Sequence, residues 1–284
     1  MTTGRFGKIY LEITNVCNLS CDFCPVTERP GQFLSLDNFQ VLLTQLRGWG
    51  RDLFFHVKGE PLLHPQLGDL LTVAGEAGFT VTLTTNGSLL GKWGDRILAS
   101  PAVRQVNVSL HSQGGIDDAQ YWQGLEAFLD AHRLHPAFPL SLRIWNLRSG
   151  LVPPDLERLW RHLAHRYPQL GDWENPTRAA STTLDARVFL NQEEQFSWPD
   201  LKLDATETRG FCHGLGNQIA VLVDGTVVPC CLDGQGVMAL GNLLTTPLNE
   251  ILQSPRALAI SKGFAERRLV EPLCQRCGFR KRFG

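Results

Sequence analysis

The chain has 284 residues, 43% of them hydrophobic and 19% charged, with a formal net charge of −1. That length and apolar content suit a large core plus a smaller second unit. A near-zero charge gives no global field for nucleic acid or a membrane surface, and no apolar run reaches spanning length. Met1-Thr2-Thr3 opens no signal peptide. Eight Cys without a secretion signal predict metal binding in a reducing cytoplasm rather than disulfides.

Lys8-Ile9-Tyr10-Leu11-Glu12-Ile13-Thr14 alternates apolar with polar and predicts the first strand. Ser35-Leu36-Asp37 looks like a capped helix start, with the helix reaching Arg47 and ending at Gly48. The pattern then predicts a strand over 52–57, a helix over 65–77, a strand over 79–84, a short helix over 93–99, a strand over 104–110 and a helix over 118–132. A strand over 140–145, a helix over 154–167 and a weak sixth strand over 187–190 complete the series. Strict βα alternation implies a parallel sheet with right-handed crossovers, and six units predict an open, partial (β/α)6 barrel like an incomplete TIM barrel.

From about Gln192 the rhythm stops. A polar linker runs to Arg209, and Asp224-Gly225 between apolar runs signals a hairpin of strands over 219–223 and 226–228. One helix is expected over 247–263. The expected domains are therefore 1–195 and 196–284. Charge is also uneven. Residues 256–284 hold eight Lys or Arg against two Glu, a net of +6, while residues 151–255 hold seven basic and thirteen acidic residues, a net of −6. Either the two segments neutralise each other, or the basic one docks an acidic electron donor or an anionic substrate.

The chemistry concentrates in the thiols. Cys17, Cys21 and Cys24 form a C-x3-C-x2-C pattern just after the first strand. A loop this short can wrap one corner of a four-iron cube and leave one iron without a protein ligand, open to a cofactor. The alternative is a zinc loop that lacks its fourth ligand. Cys17 also follows the C-terminal end of a strand, where parallel sheets and barrels place active sites. Further on, Cys212, Cys230, Cys274 and Cys277 can close four ligands around one metal centre, with structural zinc as the alternative. Cys231 is left over. Adjacent strand residues face opposite ways, so it is expected to pack, with hydrogen-atom donation to a substrate radical as the rival role.

These residues resemble the radical S-adenosylmethionine (SAM) superfamily, whose signature is CxxxCxxC with an aromatic before the last Cys, here Phe23. The C-terminal Cys set, with Gly225 to Cys230 as a Gly-x4-Cys element, resembles the SPASM/Twitch auxiliary domain, in its shorter one-cluster form. The resemblance implies two [4Fe–4S] clusters and SAM as cofactors. It implies reductive cleavage of SAM to a 5′-deoxyadenosyl radical, which abstracts a hydrogen atom.

It also implies site residues. Gly59 and Glu60 of Lys58-Gly59-Glu60-Pro61 sit where the family binds the SAM amino group, although Lys58 replaces a common glycine; a helix-start role is the alternative for Glu60. Asn86 of Thr85-Asn86-Gly87 faces the mouth or simply makes a turn. Ser109 matches a ribose contact, Arg143 a carboxylate contact and Asn146 an adenosine contact; an internal ion pair is the alternative for Arg143. His111 is expected to be a rim residue rather than a base. The implied reaction is oxidation of a small polar substrate, the closed cluster relaying the electron, with reduced flavodoxin or ferredoxin as donor. A peptide substrate is the alternative. Peptide-modifying members often carry an N-terminal peptide-binding domain; with only about ten residues before the core of the first strand, none is expected here, and a separate binding partner stays open. A non-catalytic iron–sulfur or zinc protein is the third possibility. The expected location is cytoplasmic, with no nucleic-acid or membrane partner.

Overall fold

The computed structural model describes residues 5–112, 118–173, 180–205 and 207–283. In chain order the elements are β1 (Lys8–Leu11), α1 (Leu36–Leu46), β2 (Asp52–Phe55), α2 (Leu67–Glu76), β3 (Thr80–Thr85), α3 (Leu90–Ala99), β4 (Val103–Ser109), α4 (Asp118–Leu134) and β5 (Leu140–Leu147). There follow α5 (Glu157–Arg166), β6 (Ser181–Asp185), β7 (Val188–Glu194), β8 (Gln218–Val221), β9 (Thr226–Val228), β10 (Gly241–Asn242), α6 (Leu248–Leu252) and α7 (Pro255–Ala265). The chain divides into two compact units. Met1–Asn18, Cys24–Val81 and Ser197–Gly284 form one; Leu19–Phe23 and Thr82–Phe196 form the other.

In the first unit β1 is parallel to β2 on one edge and to β8 on the other. Ile9, Leu11, Leu53, Phe55, Ile219 and Val221 are fully buried, as fits strands covered on both faces. Helix α1 forms for local reasons. The Ser35 side chain accepts a hydrogen bond from the Asn38 N–H, and Phe39, Leu42, Leu43 and Leu46 make its buried stripe. Phe39 meets Phe55 of β2 edge to face, with ring centroids 5.7 Å apart. The hairpin at Asp224-Gly225 is present, with Gly225 at φ +86 and β8 antiparallel to β9.

The β8 strand of this hairpin extends the strand set along β1, and the two-residue β10 adds to β9. One expectation here is corrected. The single helix expected over 247–263 is two. Pro255 has no N–H and is tolerated only in a first turn, so α6 stops and Ser254 caps α7, accepting from the Ala257 N–H.

In the second unit β4, β5 and β7 run parallel, with Ser109 opposite Arg143 and Leu142 opposite Leu190. The weak sixth strand is thus present as β7 and runs on to Glu194. It is preceded by an unforeseen antiparallel strand, β6, so the βα alternation ends at α5 rather than near Gln192. Leu159, Trp160 and Leu163 bury one face of α5, and Trp160 Nε1 donates to the Gly171 carbonyl at 3.1 Å. The architecture is α/β with parallel strands, resembling the partial TIM-like barrel expected from the sequence. No helix among the described residues is long and apolar enough to cross a membrane.

Candidate functional site

Past β1 the chain enters an irregular segment carrying Cys17, Cys21 and Cys24. None of the three thiols is in a disulfide; Cys17 and Cys24 are exposed and Cys21 is half-buried. Side chains staple the base of this loop. Thr14 Oγ1 donates to the Gln32 carbonyl at 2.7 Å and accepts from the Val16 N–H at 3.0 Å. Asn15 Nδ2 donates to the Pro30 carbonyl at 2.8 Å, and Asn15 Oδ1 accepts from the Gln32 N–H at 2.7 Å. Gly59, after β2, holds φ +75, and a Cβ there would stand 2.5 Å from the Thr14 carbonyl oxygen and 2.8 Å from that of Val16. Only glycine permits this approach, which lets the Glu60 N–H donate to the Val16 carbonyl at 2.8 Å. The backbone that Gly59 admits is that of the Cys loop.

A buried charge cluster supports the same loop. Glu12 is fully buried and accepts two hydrogen bonds of 2.7 Å from Arg29 Nη2. It also accepts from the Lys58 N–H at 3.1 Å and the Val223 N–H at 3.0 Å. Burial pushes the Glu12 carboxyl up; Arg29 and the two backbone N–H groups pull against it, and because every one of these partners donates, the site accommodates the carboxylate. Arg29 Nε reaches the Gly234 carbonyl at 2.8 Å. Lys58 is buried too. Its Nζ donates to the Pro25 carbonyl at 2.8 Å, stands 3.8 Å from Cys24 Sγ and lies 4.5 Å from the centroid of the Trp198 ring. Burial lowers its pKa, while Cys24 and Glu12 raise it. The sequence pattern did not single out Glu12, Arg29 or Trp198. Glu12 reads as the outward position of an alternating strand, and only pairing of β1 on both edges buries it.

The other strand ends are placed as follows. Glu60 is 2% exposed and its Oε1 accepts from the Leu62 N–H at 3.0 Å, capping the turn Pro61–Leu63. Asn86 Oδ1 accepts from the Ser88 N–H and hydroxyl, the geometry of a tight turn. Ser109 ends β4 beside Arg143, whose Nε donates to Ser141 Oγ at 3.2 Å and whose guanidinium lies 4.4 Å from the Trp145 ring centroid. Asn146 is 8% exposed, and its buried Oδ1 has no hydrogen-bond partner. His111 packs on Phe23 at 4.8 Å, and its Nδ1 lies 3.0 Å from the Arg143 carbonyl. Burial pulls its pKa down to about 4, so the ring is neutral at pH 7.

Cys212, Cys230, Cys274 and Cys277 are half-buried and free. They lie within electrostatic reach of one another: Cys230 of Cys212 and Cys274, and Cys274 of Cys212 and Cys277. Desolvation raises all four pKa values. Backbone N–H groups already serve the sulfurs, those of His213 and Gly214 at Cys212 and those of Phe279 and Arg280 at Cys277. Cys231 packs instead against an apolar cluster of Tyr10, Val57, Ala220, Leu222 and Val228, and burial pushes its thiol up to about 12. Among the described residues no three His, Cys, Asp or Glu side chains are already closed around one metal position. By donor chemistry the two sets fit soft iron–sulfur centres: three accessible thiols on one loop, and four converging thiols with N–H donors aimed at sulfur.

Comparison with known proteins agrees. The Radical SAM superfamily model matches residues 11–113, and the model for the SPASM iron–sulfur cluster-binding domain matches residues 212–278. Among curated relatives, GTP 3′,8-cyclase of Chlorobaculum tepidum is 35% identical over 116 residues, 38% of this chain and 35% of that protein. The tungsten-containing aldehyde ferredoxin oxidoreductase cofactor-modifying protein of Pyrococcus furiosus is 33% identical over 116 residues, 39% of this chain and 32% of that protein. The chain thus spans about a third of the length of the curated relatives it matches. Among solved structures, BtrN in complex with AdoMet and 2-DOIA superimposes with a TM-score of 0.65 at 19% identity, covering 97% of this chain and 94% of that one. SuiB of Streptococcus suis bound to precursor peptide SuiA gives 0.57 at 16% identity, covering 98% and 71%. SAM and [4Fe–4S] clusters are the cofactors of these domains. The chain carries a Radical SAM domain over residues 11–113 and a SPASM iron–sulfur cluster-binding domain over residues 212–278.

Proposed function

We propose that this chain cleaves SAM reductively and oxidises a small polar substrate such as an alcohol or amino sugar. Cys17, Cys21 and Cys24 would hold the cluster that binds SAM, within a barrel domain over 1–195. Cys212, Cys230, Cys274 and Cys277 would hold a closed cluster within an auxiliary domain over 196–284. When bound, the first cluster and SAM supply a 5′-deoxyadenosyl radical that removes a hydrogen atom from carbon.

The observation that carries oxidation is the four-thiol set, half-buried and served by backbone N–H groups. Four thiolates leave no open iron, so such a centre is suited to accepting the electron that a substrate radical gives up. This chain's other residues bind and orient. Gly59 holds the Cys loop against the end of β2, and the Glu60 carboxylate would receive the SAM ammonium while keeping its cap. The unpartnered Asn146 Oδ1 offers an acceptor to the adenosine. Ser109 would meet the ribose and Arg143 the SAM carboxylate, with Asn86 shaping the turn beside them.

An acidic donor such as reduced flavodoxin or ferredoxin has a candidate dock. A cavity of about 400 Å³ is lined by Arg209, Arg267, Arg280 and Lys281, with Glu207 as the acid among its lining residues. The likeness to BtrN along nearly the whole of both chains favours a small substrate. A peptide substrate is the second reading, favoured by the likeness to SuiB bound to SuiA and to anSMEcpe bound to the Cp18Cys peptide. A cytoplasmic location accords with reduced thiols.

The test is anaerobic reconstitution. About eight iron and eight sulfide per chain are expected, as two four-iron cubes require, and dithionite with SAM should release 5′-deoxyadenosine. Offered aminocyclitols and alcohols on one side and peptides on the other, the protein should oxidise only the first group. Stoichiometric zinc without sulfide, in protein purified anaerobically from iron-replete cells, would end this assignment.

A further inference from the structure

Lys58 is a buried cation whose surroundings are built around it. Its backbone N–H is held by Glu12, and its side chain is threaded over Gly234, where a Cβ would stand 2.8 Å from Lys58 Cε and 2.9 Å from Cγ. The ammonium is fixed by the Pro25 carbonyl at 2.8 Å and the Trp198 ring at 4.5 Å. The ammonium also stands 3.8 Å from Cys24 Sγ. Nearby charge does not balance it. Glu12 and Arg29 lie close enough to act on Lys58, but they are committed to each other through two hydrogen bonds of 2.7 Å. A buried ammonium facing only a carbonyl dipole and a ring carries a large desolvation cost. An iron–sulfur cluster ligated by that sulfur would supply the missing negative charge, more of it once reduced.

We infer that Lys58 is a positioning residue that fixes the Cys24 sulfur and, by its charge, raises the reduction potential of the cluster proposed on Cys17, Cys21 and Cys24. The inference rests on that ligand assignment. Reduction adds one negative charge to the cluster. A cation held against a ligand sulfur favours that state, because net charge and contacts to sulfur are among the properties that set such potentials. The Gly234 floor and the Trp198 face keep the charge in place, so the effect does not depend on a mobile surface lysine.

The experiment is a redox titration of reconstituted protein, followed by the electron paramagnetic resonance signal that changes on adding SAM, which marks the open cluster. Lys58→Met keeps the apolar stem and removes the charge; Lys58→Arg keeps the charge. At the potential where wild type is half reduced, the Met variant should show a reduced-to-oxidised ratio at least tenfold lower, about 59 mV for one electron. The Arg variant should stay near the wild-type midpoint. A cluster-loaded Met variant with an unchanged midpoint overturns the inference. If the Met variant does not load its cluster, Lys58→Gln, which can still donate to the Pro25 carbonyl, takes its place and must show the same downward shift. If wild type shows no SAM-sensitive cluster at all, or keeps it after Cys24→Ala, it is the ligand assignment that fails.

Discussion

The two thiol sets are built in opposite ways. Cys17, Cys21 and Cys24 lie within eight residues of chain, and two of the three are exposed. Their loop is placed from outside, by the Thr14 and Asn15 staples, the approach at Gly59 and the buried Glu12–Arg29 pair. Cys212, Cys230, Cys274 and Cys277 are scattered from the start of one hairpin to the last turns of the chain, and burial raises every thiol. On the proposed assignment the first set would offer an accessible side to a cofactor, and a centre on the second would fasten the fold as well as carry an electron. The contrast teaches that open coordination would be carried by an accessible loop on an independent support, and closed coordination by the fold itself.

Removing each support breaks the contrast by a different amount. The largest effect is expected from Cys17→Ala, Cys21→Ala and Cys24→Ala together. Iron and sulfide should fall by about half and 5′-deoxyadenosine should vanish, while circular dichroism and the thermal melt stay near wild type. A collapse of the melt would mean that the loop, too, depends on its metal.

Next comes Arg29→Met. It leaves the Glu12 carboxylate buried against two backbone N–H groups, a loss of about 3–5 kcal/mol in denaturant titration at pH 7–8. The sign of the pH dependence follows from burial. With Arg29 gone, desolvation holds the folded-state pKa of Glu12 above its unfolded value. The protonated form is then the favoured folded form, so the variant should be least destabilised near pH 5 and lose stability as pH rises through the Glu12 pKa. A pH-independent loss would show that the Glu12 charge is not what Arg29 answers.

Smaller again is Glu60→Gln. The amide keeps an oxygen for the Leu62 N–H, but it loses the charge for an ammonium. One charge-assisted contact is worth about 1.5–3 kcal/mol, so SAM affinity should drop about ten- to a hundredfold. Unchanged binding in a folded, cluster-loaded variant would leave Glu60 as a cap alone.

Much of this was legible in the sequence where period and spacing carry it. Ser35 before an apolar i, i+3, i+4, i+7 stripe gave α1 within one residue of its end, and Asp224-Gly225 gave the hairpin. The C-x3-C-x2-C loop at a strand end gave the first thiol set. What stayed hidden was non-local. Glu12 sits in a run that alternates like a half-exposed strand, yet pairing with both β2 and β8 buries it. Arg29 and Trp198 have no local pattern, because their roles come from partners far along the chain. The β6 strand was missed because Ser181–Asp185 is short and polar and packs only as an edge. Pro255 was the readable sign that one helix is two.

The most direct test of the division of labour is to remove the closed centre and keep the open one. Cys274→Ala with Cys277→Ala should be reconstituted, confirmed by a cooperative melt and a SAM-sensitive first cluster, and supplied with dithionite, SAM and the substrate. The account predicts 5′-deoxyadenosine without oxidised product. Oxidised product at the wild-type rate would contradict it, and would make the second centre a structural one.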